Sequence, residues 1–409
     1  MRPQLRLRNL LRIPIIPISP PTLRIRIDTK MAPREIRVHN KSGRPDNIVL
    51  KEALLEEKCA EIEAELPSFL RGYFLYLKGS LLPMSRLAYL SDIRFFLHYL
   101  IEETALTGAK TIKDIKQDDL GCAEAADVNI YLDYLRRYKV KKDAGVYIYQ
   151  NDNRSLARKR SSLSVLFKYL YRDGMIEKNI TDGFDPIRLP RAGDREIKHL
   201  EDGEVMKMLD AAATGEGLSK KELQYWRKTK LRDRAMLLLF VTYGLRLSEL
   251  RELNIASFNF SRGEFKIYRK RGKEAMMPLS ETVLTALRAY LDGERGVSES
   301  SDDPDADALF LSLRGGRMTE RQIREIVKKY TGIALGTGRA AGYSPHKLRA
   351  TTATSLIERG NSIYDVQDLL NHDNITTTQL YAAHRKGAKR ELIKDLEWDK
   401  TDDNPGDKK

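Results

Sequence analysis

The stretch "SPHKLRATTATSLIERG", Ser344 to Gly360, reads as one helix with both ends written in. Ser344 suits the N-cap, Pro345 the first helical position, and Gly360 the C′ position. His346 and Arg349 stand three apart, so they project from one side of the first turns. Backbone N–H groups at a helix start favour an anion. The pair therefore reads either as a surface ion-pair partner beside a satisfied histidine, or as a site for a phosphate.

The chain has 409 residues, enough for two or three domains. Hydrophobic residues make up 41%, which supports real cores and excludes wholesale disorder. The formal net charge is +14. A basic chain with many helices points to a nucleic-acid partner, a composition shared with ribosome-associated and anionic-membrane proteins. The two cysteines, Cys59 and Cys122, exclude a disulfide framework and a cysteine-rich metal site, and fit a reducing compartment. The apolar run "IPIIPISPP" is short and broken by proline, so it neither spans a bilayer nor makes a good signal peptide. Met31 is the expected natural start, with the residues before it non-native or disordered; the alternative is a basic arm for an anionic polymer.

The organisation expected is as follows. Residues 1–47 form a basic, disordered segment. Residues 48–186 are all-helical, with Leu90, Ile93, Leu97 and Leu100 on one stripe and Leu163, Leu166, Phe167 and Leu170 on another. Arg154, Arg158, Lys159 and Arg160 open the second of these helices on its opposite face. Such a run is ordinarily a solvated face, and in a basic protein it is also a candidate for phosphate contact. "IRLPRAGDREIK" (187–198) is a linker. A second domain spans 199–392 and includes two strands around an Arg271-Gly272 turn in "EFKIYRKRGKEAMMPLS". "VSESSDDPDADA" (297–308) is an acidic, solvated loop, and 393–409 is a disordered tail.

In "RDRAMLLLFVTYGLRLSELREL" an apolar helix ends near Gly244 and a new one begins around Ser248. Arg246 at that break needs an anionic partner, which is Glu249, Glu252 or a phosphate oxygen. Lys270 and Lys273 flank the hairpin turn, where lysines are ordinarily solvated. A mobile hairpin would also carry an ammonium into a site. In "DLLNHDNITTTQLYAAH", Ser362 caps a helix ending around Asn371 and His372, and Thr376 caps the next, which carries Tyr381. His346, His372 and His384 stand without a Glu or Cys at ligand spacing, so no metal is expected.

"TYGLRLSEL", "YRKRGKE", "SPHKLRATTATSL" and "LLNHDNITTTQLYAAH", in this order, resemble the tyrosine recombinase/integrase family, most of all its Xer-type and phage-integrase branches. The family's first arginine falls on Arg246 and its hairpin lysine on Lys270, with Lys273 as the fallback. Its His-x-x-Arg box falls on His346 and Arg349, its second histidine on His372, and its nucleophile on Tyr381. Asn371 replaces a common glycine and Ala350 a common histidine, neither at a catalytic position. The stretch 214–231 is longer than in a minimal member, and is similar to single-recombinase Xer systems.

The resemblance implies a mainly α fold with a small antiparallel β-sheet. It implies an all-helical core-binding (SAM-like) domain joined to an α+β catalytic domain, closing on duplex DNA as a clamp. It also implies strand cutting and rejoining through a 3′-phosphotyrosine, in chromosome-dimer resolution or mobile-element integration. Arg246 and Arg349 would clamp the phosphate, His372 donate a hydrogen bond, His346 accept the phenol proton and Lys270 protonate the leaving oxygen. Arg158, Lys159 and Arg160 would grip DNA. No cofactor, ATP or metal is expected, and no membrane. A homotetramer on paired DNA sites, in the cytoplasm with the nucleoid, follows from the family. The rivals are a type IB topoisomerase, a non-catalytic DNA-binding relative and a metal-dependent nuclease.

Overall fold

The computed structural model describes residues 15–16, 40–142, 145–189, 197–269, 272–295 and 305–371. The chain divides into two compact units, Met1–Pro190 and Arg191–Lys409.

Among the described residues the first unit is built on six α-helices: α1 (Asp46–Glu65), α2 (Arg71–Ser80), α3 (Pro83–Glu103), α4 (Gln117–Gly121), α5 (Ala125–Tyr134) and α6 (Asn153–Arg172). The centre is α3. Leu90, Ile93, Leu97 and Leu100 are fully buried, as the stripe requires, and Phe96 joins them from the flank. In α6, Asp152 caps by accepting from the Ser155 N–H at 2.8 Å, and Leu163, Leu166, Phe167 and Leu170 face the core.

The unit is not all-helical. Arg137–Lys142 (β2) and Gly145–Gln150 (β3) pair antiparallel, and Ile15–Ile16 (β1) adds a parallel edge to β2. Tyr138 and Val140 are buried, and Tyr138 stacks on Tyr149 with centroids 5.5 Å apart. The period of two is present in "RYKVKK", but the intervening cations hide it in so short a strand.

The basic start of α6 is not a uniformly solvated face. Lys159 is 3% exposed and points inward, its Nζ 3.0 Å from Asp92 of α3. Arg158 also donates to Asp92, and the Ser162 hydroxyl reaches it at 3.2 Å. A buried carboxylate needs such partners. Lys159 is thus no solvated cation and no phosphate contact. Lys159→Met should destabilise the protein by about 2–4 kcal/mol in urea unfolding, since Asp92 keeps only part of its compensation. A loss within about 0.5 kcal/mol, the scale of a surface substitution, would contradict the assignment.

The second unit carries α7 (Asp202–Thr214), α8 (Lys220–Trp226), α9 (Lys230–Tyr243), α10 (Leu247–Arg251), α11 (Glu281–Gly293), α12 (Glu320–Ala334), α13 (Pro345–Glu358) and α14 (Ile363–Leu370). A three-stranded antiparallel sheet runs β4 (Phe258–Asn259), β5 (Glu264–Tyr268), β6 (Glu274–Pro278), in that spatial order. The apolar run of α9 is buried from Ala235 to Phe240 and packs against α7, α11 and α13. The long 214–231 stretch contributes the single short helix α8. Glu222 holds it to Arg339 through two contacts of 3.1 Å, and Trp226 donates to the Ala212 carbonyl at 2.8 Å. The end of the acidic loop is structured: Asp305 accepts from the Arg317 backbone N–H at 2.8 Å. No helix among the described residues is long and apolar enough to cross a membrane.

Candidate active site

The site grows from three chain reversals. The first follows α9, where Gly244 adopts φ 58° and turns the chain. A Cβ there would lie 2.5 Å from Leu370 Cδ2, so a glycine serves both the left-handed turn and the close approach of α14. Arg246 then stands at the N-cap of α10. Glu249, three residues on, accepts from the Arg246 backbone N–H at 2.8 Å and from its Nη1 at 2.7 Å. Of the partners weighed for Arg246, Glu249 is the one found. It orients the guanidinium and leaves the side chain one-third exposed.

The second element is α13. Ser344 occupies its N-cap without a side-chain cap bond, Pro345 opens it, and Gly360 follows its end at φ 86°. Arg349 is 4% exposed. Its Nη1 donates to the Gly244 carbonyl at 2.7 Å and its Nη2 to the Leu370 carbonyl. His346, in the first turn, is an exposed residue. Its pKa is lowered, first by the partial desolvation of the ring and then by the positive charges of Arg349, Lys347 and Arg246. The imidazole is therefore neutral near pH 7 and able to accept a proton.

The third is α14, capped by Ser362, whose hydroxyl accepts from the Tyr364 N–H at 3.2 Å. The helix ends at Asn371, left-handed at φ 47°, a conformation that asparagine tolerates. The Asn371 carbonyl accepts from Arg246 Nη2 at 2.9 Å. Arg246 and Arg349 thus meet on adjacent carbonyls at the negative end of one helix.

Three of the six expected catalytic residues, Arg246, His346 and Arg349, are brought together in this way. Lys270, His372 and Tyr381 lie outside the described residues. Lys273 is exposed on the β5–β6 hairpin, where its carbonyl accepts from the Arg269 N–H at 2.7 Å, and Gly272 takes φ 71° in the turn. Sequence reasoning missed Arg269, which follows β5 and donates to carbonyls of α14. The missed signal was strand parity: Phe265 and Ile267 are buried, and Arg269 continues their side of β5. Among the described residues no group of three His, Cys, Asp or Glu side chains could hold a metal ion. The arrangement offers two oriented guanidiniums for an anionic oxygen pair and a neutral imidazole for a proton.

Comparison with known proteins adds to this geometry. The phage integrase family matches residues 198–387. Tyrosine recombinase XerC of Alcanivorax borkumensis is 34% identical over 228 residues, covering 56% of this chain and 68% of that protein. Tyrosine recombinase XerD of Pseudomonas aeruginosa is 35% identical over 229 residues, covering 56% and 70%. Among solved structures, the XerH site-specific recombinase bound to palindromic difH substrate, in a post-cleavage complex, aligns with TM-score 0.54 and 19% identity. That alignment covers 84% of this chain and 89% of the other, and shows a shared fold.

Proposed function

The chain belongs to the phage integrase family of tyrosine recombinases, and from this we propose that it is a site-specific recombinase, cutting and rejoining duplex DNA through a covalent tyrosyl intermediate. The observation that carries the reading is the convergence of Arg246 and Arg349, from separate helices, on the adjacent carbonyls of Leu370 and Asn371.

The chemistry follows from the phosphodiester. Its non-bridging oxygens gain charge as phosphorus becomes pentacoordinate, so oriented cationic donors are the main requirement. Arg246 and Arg349 supply them, and His372 donates a further hydrogen bond. The Tyr381 phenol, with an ordinary pKa near 10, gives its proton to His346 as its oxygen bonds to phosphorus. The bond from phosphorus to the 5′-oxygen breaks, and that oxygen takes a proton from Lys270. The 3′-phosphotyrosine keeps the bond energy, so a second strand's 5′-hydroxyl reverses the step without ATP or metal.

The helical module, 48–186, and the catalytic module, 199–392, joined by 187–198, then hold a duplex from two sides. Arg158, whose side chain stays 35% exposed while paired with Asp92, and Arg160 are the proposed phosphate contacts of α6. The assembly proposed is a homotetramer on paired sites, in the cytoplasm with the nucleoid.

The test is strand exchange between two duplexes carrying a site recovered from DNA bound in cells, run in EDTA without ATP. Recombinant product supports the reading. Relaxation of supercoils without exchange, or a requirement for divalent metal, contradicts it.

The lowered pKa of His346 sets a pH dependence. A base with a depressed pKa stays deprotonated to lower pH, and kcat/KM reports the free enzyme. The acidic limb of kcat/KM for cleavage is therefore expected below pH 6.5, the ordinary histidine value. A limb above it, absent in His346→Gln, would contradict the electrostatics described.

A further inference from the structure

The proposed chemistry leaves Arg269 unused, yet its side chain is committed with care. It follows the last residue of β5, on the strand side that Phe265 and Ile267 bury in the core. Its Nη1 donates to the Asp368 carbonyl at 3.3 Å and its Nη2 to the Leu369 carbonyl at 2.7 Å. Arg349 and Arg246 take the next two carbonyls, of Leu370 and Asn371. The four consecutive acceptors at the end of α14 are thus shared among three guanidiniums. Helix C-termini leave such carbonyls unpaired and favour cations near them.

A plain capping role would need one contact and no special origin. Two features go further. The Arg269 Nε is buried and has no hydrogen-bond partner among the described residues, so the guanidinium is held here by its Nη contacts. The Arg269 backbone also closes the hairpin: its N–H donates to the Lys273 carbonyl at 2.7 Å, and its carbonyl accepts from the Gly272 N–H at 3.2 Å. One residue therefore closes the hairpin turn with its backbone and grips α14 with its side chain. Lys270 is its neighbour in the chain, and His372 is the neighbour of Asn371.

We propose that Arg269 is a positioning residue, tying the closing turn of the β5–β6 hairpin to the last turn of α14. The chain segments leading to Lys270 and to His372 are thereby held in one frame with Arg246 and Arg349. This inference rests on the reading of Lys270 as the general acid.

The experiment compares Arg269→Met, Arg269→Gln and Lys270→Ala in single-turnover cleavage of a nicked suicide duplex, with DNA affinity measured alongside. Each is repeated on a duplex whose 5′-bridging oxygen is sulfur, since a thiolate leaves without a proton. Misplacing a reacting group by an ångström costs on the order of 10²-fold. Arg269→Met should therefore cleave the oxygen substrate about 10- to 100-fold more slowly, at unchanged affinity, with the sulfur substrate restoring most of the rate. Arg269→Gln, which keeps one amide donor for a carbonyl, should fall between it and the wild type.

Cleavage by Arg269→Met at the wild-type rate would overturn the inference. So would a slow Arg269→Met that sulfur fails to restore while it restores Lys270→Ala. If Lys270→Ala cleaves normally, or sulfur fails to restore it, the reading of Lys270 itself falls. That failure is visible in Lys270→Ala alone, and it takes the inference with it.

Discussion

Tyr381→Phe is expected to abolish the covalent protein–DNA complex while leaving DNA affinity within about two-fold, because one oxygen is removed and little else changes. Denaturing electrophoresis after reaction with a nicked suicide duplex reads the complex directly. A surviving adduct in Tyr381→Phe would assign the nucleophile elsewhere.

The second large effect belongs to the arginine pair. Arg246→Lys and Arg349→Lys should each lower the single-turnover cleavage rate by about 10²–10³-fold, the scale of one lost oxyanion donor. Charge is kept in both, so the loss comes from the planar fork, which an ammonium cannot reproduce. The two variants differ in their structural consequences. Arg246 is one-third exposed, and a lysine there keeps a positive charge beside buried Glu249, so its replacement should cost less stability than that of Arg349. Arg349 is buried and bridges the carbonyls of Gly244 and Leu370, so its replacement should also cost about 1–3 kcal/mol of stability for an acceptor left unpaired. Wild-type cleavage by either variant would remove that arginine from the site.

What could be read in the sequence was local. Gly244, Arg246 and Glu249 lie within six positions, so a helix break and its internal partner can be seen in one stretch. The same holds for Ser344, Pro345 and Gly360, which sit where the helix ends of α13 require. What could not be read depended on partners far along the chain. Lys159 looks like one of four surface cations until Asp92 is placed beside it by the packing of α3 on α6. Arg269 looks like one of several hairpin cations until α14 arrives with its C-terminal carbonyls. The β2–β3 hairpin escaped for a different reason: each strand is six residues long, too short for alternation to stand out against a helical background.

Exchange of a phosphodiester for a phosphotyrosine at one residue can be read by mass spectrometry of the covalent complex, after nuclease and protease digestion in EDTA. The expected product is a nucleotide linked through its 3′-phosphate to the peptide containing Tyr381, and to no other. A linkage on a different residue, a 5′-phosphate linkage, or free cleaved ends without any adduct would contradict it.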